Sequence, residues 1–358
     1  MRRLSLLLVV LLVALSSTVA FAQDAPTATL GPVTQAIVDR GQLNCAVNNA
    51  LPGFGFPNAA GEIEGFDADF CRAVAAAVLG DATAVNFRPT VAADRQTVLQ
   101  SGEVDMISRN TTATLSRDTL WGATFAPTTF YDGQGVMVMT DSGAASLEDL
   151  AGGIICTNAG TTTELNITDA MRNRGLDFDL QTFQDFNAVM ATFLQGGCDA
   201  VTTDMSGLVS QKASAADPGA LTIIDLVISK EPLGPMSAQS DPQFADILRW
   251  TVFATFQAEE FGITSANIDE YVQAEGEADE DYNARVGADI SRFLGYGGNQ
   301  SGSYLGIDNH FTEAIIRQVG NYGEIFERNL GADTIFGLAR GVNALWTNGG
   351  LLYSPPFR

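Results

Sequence analysis

From residue 43 onward, short apolar runs alternate with longer stretches whose apolar positions recur every three or four residues. Residues 43–47 (LNCAV) read as a strand. Within residues 66–80, Phe70, Val74, Ala77 and Val78 share one helical face, and Gly80 stands where a C-cap is wanted. The pattern continues with a strand over 84–89, a helix over 92–102 closed by Gly102, and strands over 104–108 and 133–139. This βαβαβ rhythm predicts an α/β sheet with helices on both faces. It then restarts. A short helix is predicted over 146–153, followed by alternating strands and helices over 154–160, 161–175, 180–184, 185–197, 198–204 and 205–215, and an extended stretch over 221–229. Residues 230–242 carry three prolines and a glycine and read as a return crossing between the two units. Three further helical stretches, over 242–262, 311–331 and 335–350, are expected to cover the first unit. Residues 23–34 read as a loose arm.

The N-terminus changes the picture first. Arg2 and Arg3 precede a short apolar run, and Ala20-Phe21-Ala22 fits a small-x-small cleavage site, so residues 1–22 read as a signal peptide. The run is short for a membrane span, and no cysteine lies at the cleavage point, which argues against an anchor or a lipidated form. The expected product is an exported, soluble, periplasmic chain.

In an open α/β sheet, ligands sit at the carboxyl ends of strands. Three such ends are polar here, at 108–112, 158–163 and 202–204. The richest is SRNTTATLSRD, residues 108–118, where hydroxyls, a helix start and Arg117 follow a buried-strand pattern. Free N–H groups at a helix start suit an anion, and a guanidinium grips a carboxylate through two parallel hydrogen bonds. The competing reading is a solvated turn with Thr114 as N-cap and Arg117 facing water.

Composition removes several function classes. The chain carries 19 basic and 42 acidic residues for a net charge of −23, and lysine is confined to Lys212 and Lys230. Such a chain repels nucleic acid and anionic lipid. The single histidine, His310, excludes a multi-histidine metal site, and its setting suits packing or capping. No phosphate-binding glycine motif is present. The acidic run 275–282 lacks calcium-loop spacing and reads as a solvated loop, so no metal and no cofactor is expected. An even count of four cysteines in an exported chain favours disulfides.

Several segments carry a family resemblance. GEIEGFDADFCRAVA, LQSGEVDMISRNTTATLSRD and LEDLAGGIICTNAGTTTE resemble the polar amino-acid-binding proteins of ABC importers, solute-binding protein family 3. VISKEPLGPM, NYGEIFERNLG and RGVNALWTNGGLLYSPPFR resemble its general L-amino-acid-binding branch. The resemblance covers essentially the whole mature chain. It implies a type II periplasmic-binding-protein fold, an α/β architecture of two lobes joined by two crossing strands that close over one amino acid.

Site residues follow position by position. Arg117 stands where the family grips the ligand α-carboxylate, with Thr112, Thr161 and Thr162 as further donors. Asp204 stands where the α-ammonium is held, and Asn110 where a carbonyl meets it. Arg95 borders the side-chain pocket and hints at acidic or amide side chains. Asp204 could alternatively cap the helix that follows it. The aromatic ring that many relatives place over the ligand has no clear equivalent in NNALPGFGF.

Lobe one is expected to span 36–136 plus 236–358 and lobe two 137–235, with crossings near 131–139 and 229–237. Cys45–Cys71 and Cys156–Cys198 are the expected disulfides, each inside one lobe, since a bridge across lobes would staple the cleft. The implied function is capture of L-amino acids of broad range, with glutamate, glutamine, aspartate and asparagine expected among them, for delivery to an inner-membrane ABC permease. The chain is expected to act as a monomer and without catalysis. The rival reading is a dehydratase or lyase on the same fold, which would need a general acid or base with a tuned pKa.

Overall fold

A computed structural model of the protein describes residues 27–358. The signal peptide expected at 1–22 lies outside the described residues. The chain builds two α/β lobes, each around its own sheet. The first sheet has the strand order Val85–Pro89, Leu43–Val47, Met106–Ile107, Met236–Ala238, Ala123–Phe125. Leu43–Val47 runs parallel to both of its neighbours, which the crossover helix Phe66–Leu79 makes possible. That helix is buried on nearly every side, so its run of alanines and phenylalanines faces protein all round.

The second sheet is ordered Leu221–Ile223, Phe130–Met139, Ala200–Asp204, Ile154–Asn158, Asp179–Phe183. The long strand Phe130–Met139 serves two purposes. Its later residues pair with Ala200–Asp204, while Phe130 to Gly133 pair antiparallel with Lys230–Leu233. These paired segments are where the chain passes between the sheets, outward once and back once. The return strand Met236–Ala238 then joins the first sheet antiparallel.

Disulfides join Cys45 on the first strand to Cys71 on the crossover helix, and Cys156 to Cys198, with Cα–Cα separations of 6.1 and 6.0 Å. The first ties a strand to the helix packed on it, and the second ties a strand to the loop that leads into its neighbour Ala200–Asp204. The loop-entropy model assigns each bridge a stabilisation of about 3–4 kcal/mol.

The C-terminal third departs from the sequence reading in three places. Residues 311–331 form two helices, Phe311–Gln318 and Tyr322–Asn329, because Gly320 (φ 93°) breaks the chain and Asn321 starts the second with a reciprocal capping box with Glu324. Residues 335–350 carry only the short 3₁₀ turns Gly341–Asn343 and Trp346–Asn348; Gly337, Gly341 and Gly349 have positive φ, which an α-helix cannot continue through. The acidic run is half helix, since Asp279–Val286 is anchored by fully buried Tyr282, whose hydroxyl donates to the Tyr271 carbonyl at 2.8 Å. The expected loose arm is also partly ordered. Helix Pro32–Arg40 starts inside it, and the Asp241 carboxylate accepts from the amides of Val33 and Phe244.

These helices seal the first lobe around an aromatic core. Phe66 meets Phe54, Phe70, Phe130 and Tyr322 edge-on, with ring centroids 5.3–5.8 Å apart. The core therefore joins the crossover helix, the first crossing strand and the C-terminal helices. Phe66→Ala is expected to cost about 3–5 kcal/mol, read as a lower denaturation midpoint of the first lobe.

Candidate ligand-binding cleft

Strand Met106–Ile107 ends at Ser108, whose hydroxyl donates to the Asp67 carbonyl at 2.8 Å. The chain then turns through residues 109–114 into helix Leu115–Leu120. Thr114 caps that helix by accepting from the Arg117 amide at 3.2 Å, so the capping half of the alternative reading holds. Its other half fails. Arg117 is 5 % exposed, its Nη1 donates to the Thr112 carbonyl at 2.8 Å, and its guanidinium lies 5.1 Å from the Trp121 ring centroid. A helical side chain leans back toward the N-terminus, which carries Arg117 over Thr112 and away from water.

Asp204 ends strand Ala200–Asp204 and stands at the N-cap position of helix Met205–Ser214, yet its side chain makes no cap bond. The cap comes from Asp132 on the crossing strand, whose carboxylate accepts from the Ser206 amide (3.2 Å) and hydroxyl. Asp204 is thereby released toward the cleft. Its Oδ2 accepts from Asn110 Nδ2 at 2.9 Å, and Asn110 Oδ1 accepts in turn from Asn48 at 3.0 Å. Burial, and after it the Asp132 carboxylate, push the Asp204 carboxyl up to about 8.

The threonines gather from both sheets. Thr161 caps helix Thr162–Asn173 by accepting from the Glu164 amide at 3.1 Å. The first amides of that helix have no intrahelical acceptor. The hydroxyls of Thr112 and Thr162 both donate to Glu231 Oε2, the latter at 2.9 Å. Glu231 is 1 % exposed, sits on the return strand, and also accepts from Asn166 and Ser229. Arg95 is 2 % exposed and largely engaged. It donates to the Ala92 carbonyl (2.8 Å), the Thr111 hydroxyl (3.1 Å) and, across the cleft, the Gly160 carbonyl (3.3 Å).

All seven residues singled out from the sequence line one cavity: Arg95, Asn110, Thr112 and Arg117 on one side, Thr161, Thr162 and Asp204 on the other. Sequence reasoning missed others. Arg109 lines the same cavity, 6 % exposed. Asp67 lies buried behind it, its carboxyl pushed up to about 7 by burial, and accepts from the Asn110 amide at 2.8 Å. Phe186 contributes an aromatic ring from the second lobe, whereas Phe54 is in the core. Charged residues flanking a strand end were the available signal for Arg109; nothing local marks Asp132 or Glu231, which face one another only once the crossing strands pair. His310 lies far from this constellation in sequence and packs against the Tyr296 ring at 3.9 Å between centroids. Among the described residues, no ion pair within 4 Å involves Arg95, Arg109 or Arg117.

A cleft with buried hydroxyls, free helix-start amides and unpaired charges of both signs is built to hold a small charged molecule. Comparison with known proteins agrees. Residues 43–216 match the model of the bacterial extracellular solute-binding proteins, family 3. The chain is also 46% identical over 320 residues to the general L-amino acid-binding periplasmic protein AapJ of Rhizobium johnstonii, spanning 89% of this chain and 91% of that one. The chain belongs to this family. It is 44% identical to the glutamate/glutamine/aspartate/asparagine-binding protein BztA of Rhodobacter capsulatus, over 97% of each. Among solved structures, an ABC transporter periplasmic binding protein from Brucella ovis with glutathione bound is 43% identical, with a TM-score of 0.85 over 92% of this chain and all of that one.

In this solute-binding protein the division of labour between Asp132 and Asp204 is testable. Asp132→Ala should destabilise the Met205–Ser214 helix by about 0.5–2 kcal/mol through loss of its cap. Hydrogen exchange at the helix start should accelerate in Asp132→Ala and stay unchanged in Asp204→Ala.

Proposed function

We propose that the cleft binds one L-amino acid as its zwitterion and that the protein, working in the periplasm, presents it to an ABC permease. The observation that carries this reading is that one cavity sets a buried guanidinium and a buried carboxyl side chain against the same space. Arg117 and Asp204 reach the cavity from different sheets, and among the described residues neither forms an ion pair within 4 Å. A zwitterion supplies both. Arg117 and the amides near Thr112 and Thr162 receive the α-carboxylate, with Thr161 setting the helix start. Asp204 and Asn110 receive the α-ammonium, and Arg95 borders the side chain.

The lobes are taken as 36–136 plus 236–358 and 137–235, hinged at the paired crossing strands. Because the ligand contacts both, the closed state gains contacts that the open state lacks. This couples binding to closure.

Supporting a binder over an enzyme, the relatives at 41–46% identity are named as binding proteins. The raised pKa of Asp204 describes the site without ligand. An ammonium beside it restores the ionised form, which makes it a poor general acid. The relative from Brucella ovis was solved with glutathione, whose γ-glutamyl end carries the same α-amino and α-carboxylate groups. A thermal-shift screen should therefore include glutathione with the twenty amino acids, since a native-state ligand raises the midpoint in proportion to ln(1 + [L]/Kd).

Arg117→Ala leaves a desolvated carboxylate with fewer donors. The expected loss is about 3–5 kcal/mol, or roughly two to three and a half decades of affinity, similar for every amino acid that binds. Arg117→Lys should recover part of it, because an ammonium cannot reproduce the two-pronged grip. Asp204→Asn should weaken amino acids strongly and their desamino analogues much less. Calorimetric titration reads all three, and an Arg117→Ala protein that binds within a few-fold of wild type would remove the carboxylate assignment.

A further inference from the structure

Of the three guanidinium groups around the cavity, two have partners and one has none. Arg95 donates from Nε and both Nη atoms to protein oxygens. Arg117 is held by the Thr112 carbonyl and stacked on Trp121. Arg109 is 6 % exposed and lines the cavity, yet its Nε has no hydrogen-bond partner and the group forms no ion pair within 4 Å. Asp67 and Asp204 attract it electrostatically from beyond that distance, and one Asp67 oxygen is already occupied by the Asn110 amide. A buried guanidinium left so is costly, because desolvation is not repaid by a contact.

The position of Arg109 says what would repay it. Its guanidinium lines the cavity and feels both Asp67 and Asp204, so it lies on the Asp204 side of the cleft. In an L-amino acid the α-carbon bears the ammonium, the carboxylate and the side chain alike, so once Asp204 and Arg117 have taken the first two, the side chain is the part of the ligand left for Arg109. A zwitterion alone is electrically neutral and satisfies Arg117 and Asp204 without compensating a third charge.

Resting on the amino-acid reading above, we propose that Arg109 receives the distal oxygens of the ligand side chain, which makes amino acids with a side-chain carboxylate the favoured class and carboxamides the next. A carboxylate meets the guanidinium fork with two charge-assisted hydrogen bonds; a carboxamide oxygen offers one acceptor and no charge; a methyl side chain offers neither. This assigns side-chain selection to Arg109, with Arg95 acting as a tie between the lobes through the Gly160 carbonyl.

The test is calorimetric titration of the mature chain with glutamate, glutamine and alanine. Wild type should rank them in that order. Arg109→Met keeps length and removes charge, and should lower the glutamate-to-alanine affinity ratio on the order of 100-fold. Arg109→Lys should restore part of that ratio. If Arg109 serves only to balance Asp67, the double variant Arg109→Met/Asp67→Asn would recover the wild-type ratio; the proposal requires that it stay low. An equal loss of all three ligands in Arg109→Met, or a wild type with no preference for glutamate over alanine, overturns the proposal while leaving the amino-acid reading intact. A wild type that binds none of the three overturns both.

Discussion

Charge buried without a partner is the constraint on which this cleft depends. Moving an ion out of water costs several kcal/mol even after relaxation, and attraction repays it only at close range. Here Asp67, Asp204 and Glu231 are buried with Arg95, Arg109 and Arg117, and half-buried Asp132 stands beside them. The fold supports this by surrounding some of the carboxylates with donors. Glu231 takes four, from Thr112, Thr162, Asn166 and Ser229; Asp132 takes the start of a helix and the Gly133 amide. Asp67 and Asp204 take one each, from the Asn110 amide and the Asn110 side chain. Of these two only Asp204 lines the cavity, so the unmet demand faces the place a ligand would occupy.

That demand follows from how the lobes are joined. Asp132 and Glu231 stand opposite one another on the two crossing strands, where like charges are unfavourable neighbours. Burial, with a smaller push from Glu231, raises the Asp132 carboxyl to about 6, and Asp132 in turn raises Asp204. Glu231 also gathers one hydroxyl from each side of the cleft onto a single oxygen. The crossing strands therefore do more than connect the sheets: they set the electrostatics of the site and fasten its walls together. A ligand ammonium arriving at Asp204 would relieve repulsion that originates in the hinge.

Much of this architecture is legible in the sequence. The alternation of runs locates three of the five strands of the first sheet and those of the second, but not Ala123–Phe125, and Met236–Ala238 falls in the stretch read as a crossing; the polar strand ends place Arg117, Thr161 and Asp204 around one cleft. The misreadings have specific causes. Residues 335–350 have helical spacing of apolar side chains, but glycines at positive φ override it, and Leu345 is buried from an irregular turn. The acidic run 275–282 looks solvated because seven of its eight residues are polar, glycine or alanine; the eighth, Tyr282, pins it. Arg109 flanks a polar strand end that the sequence does mark, whereas Asp132 and Glu231 carry no local mark of their place in the site. Their direction is set by strand pairing across 99 residues of chain, between positions 132 and 231, which no window of sequence contains.

The central claim is that the cleft is electrostatically incomplete until a zwitterion enters it, and proton linkage tests this directly. Burial and the Asp132 carboxylate push the Asp204 carboxyl up to about 8, so in the free protein it holds its proton to a higher pH than an ordinary carboxyl. Binding an ammonium favours the carboxylate, lowers that pKa and expels the proton, so affinity should improve as pH rises toward 8. The measurement is calorimetric titration at pH 7 with an amino acid that binds, repeated in two buffers of different ionisation enthalpy. The difference between the two enthalpies counts protons. This account expects net proton release on binding. A binding enthalpy independent of the buffer, or proton uptake, would contradict it.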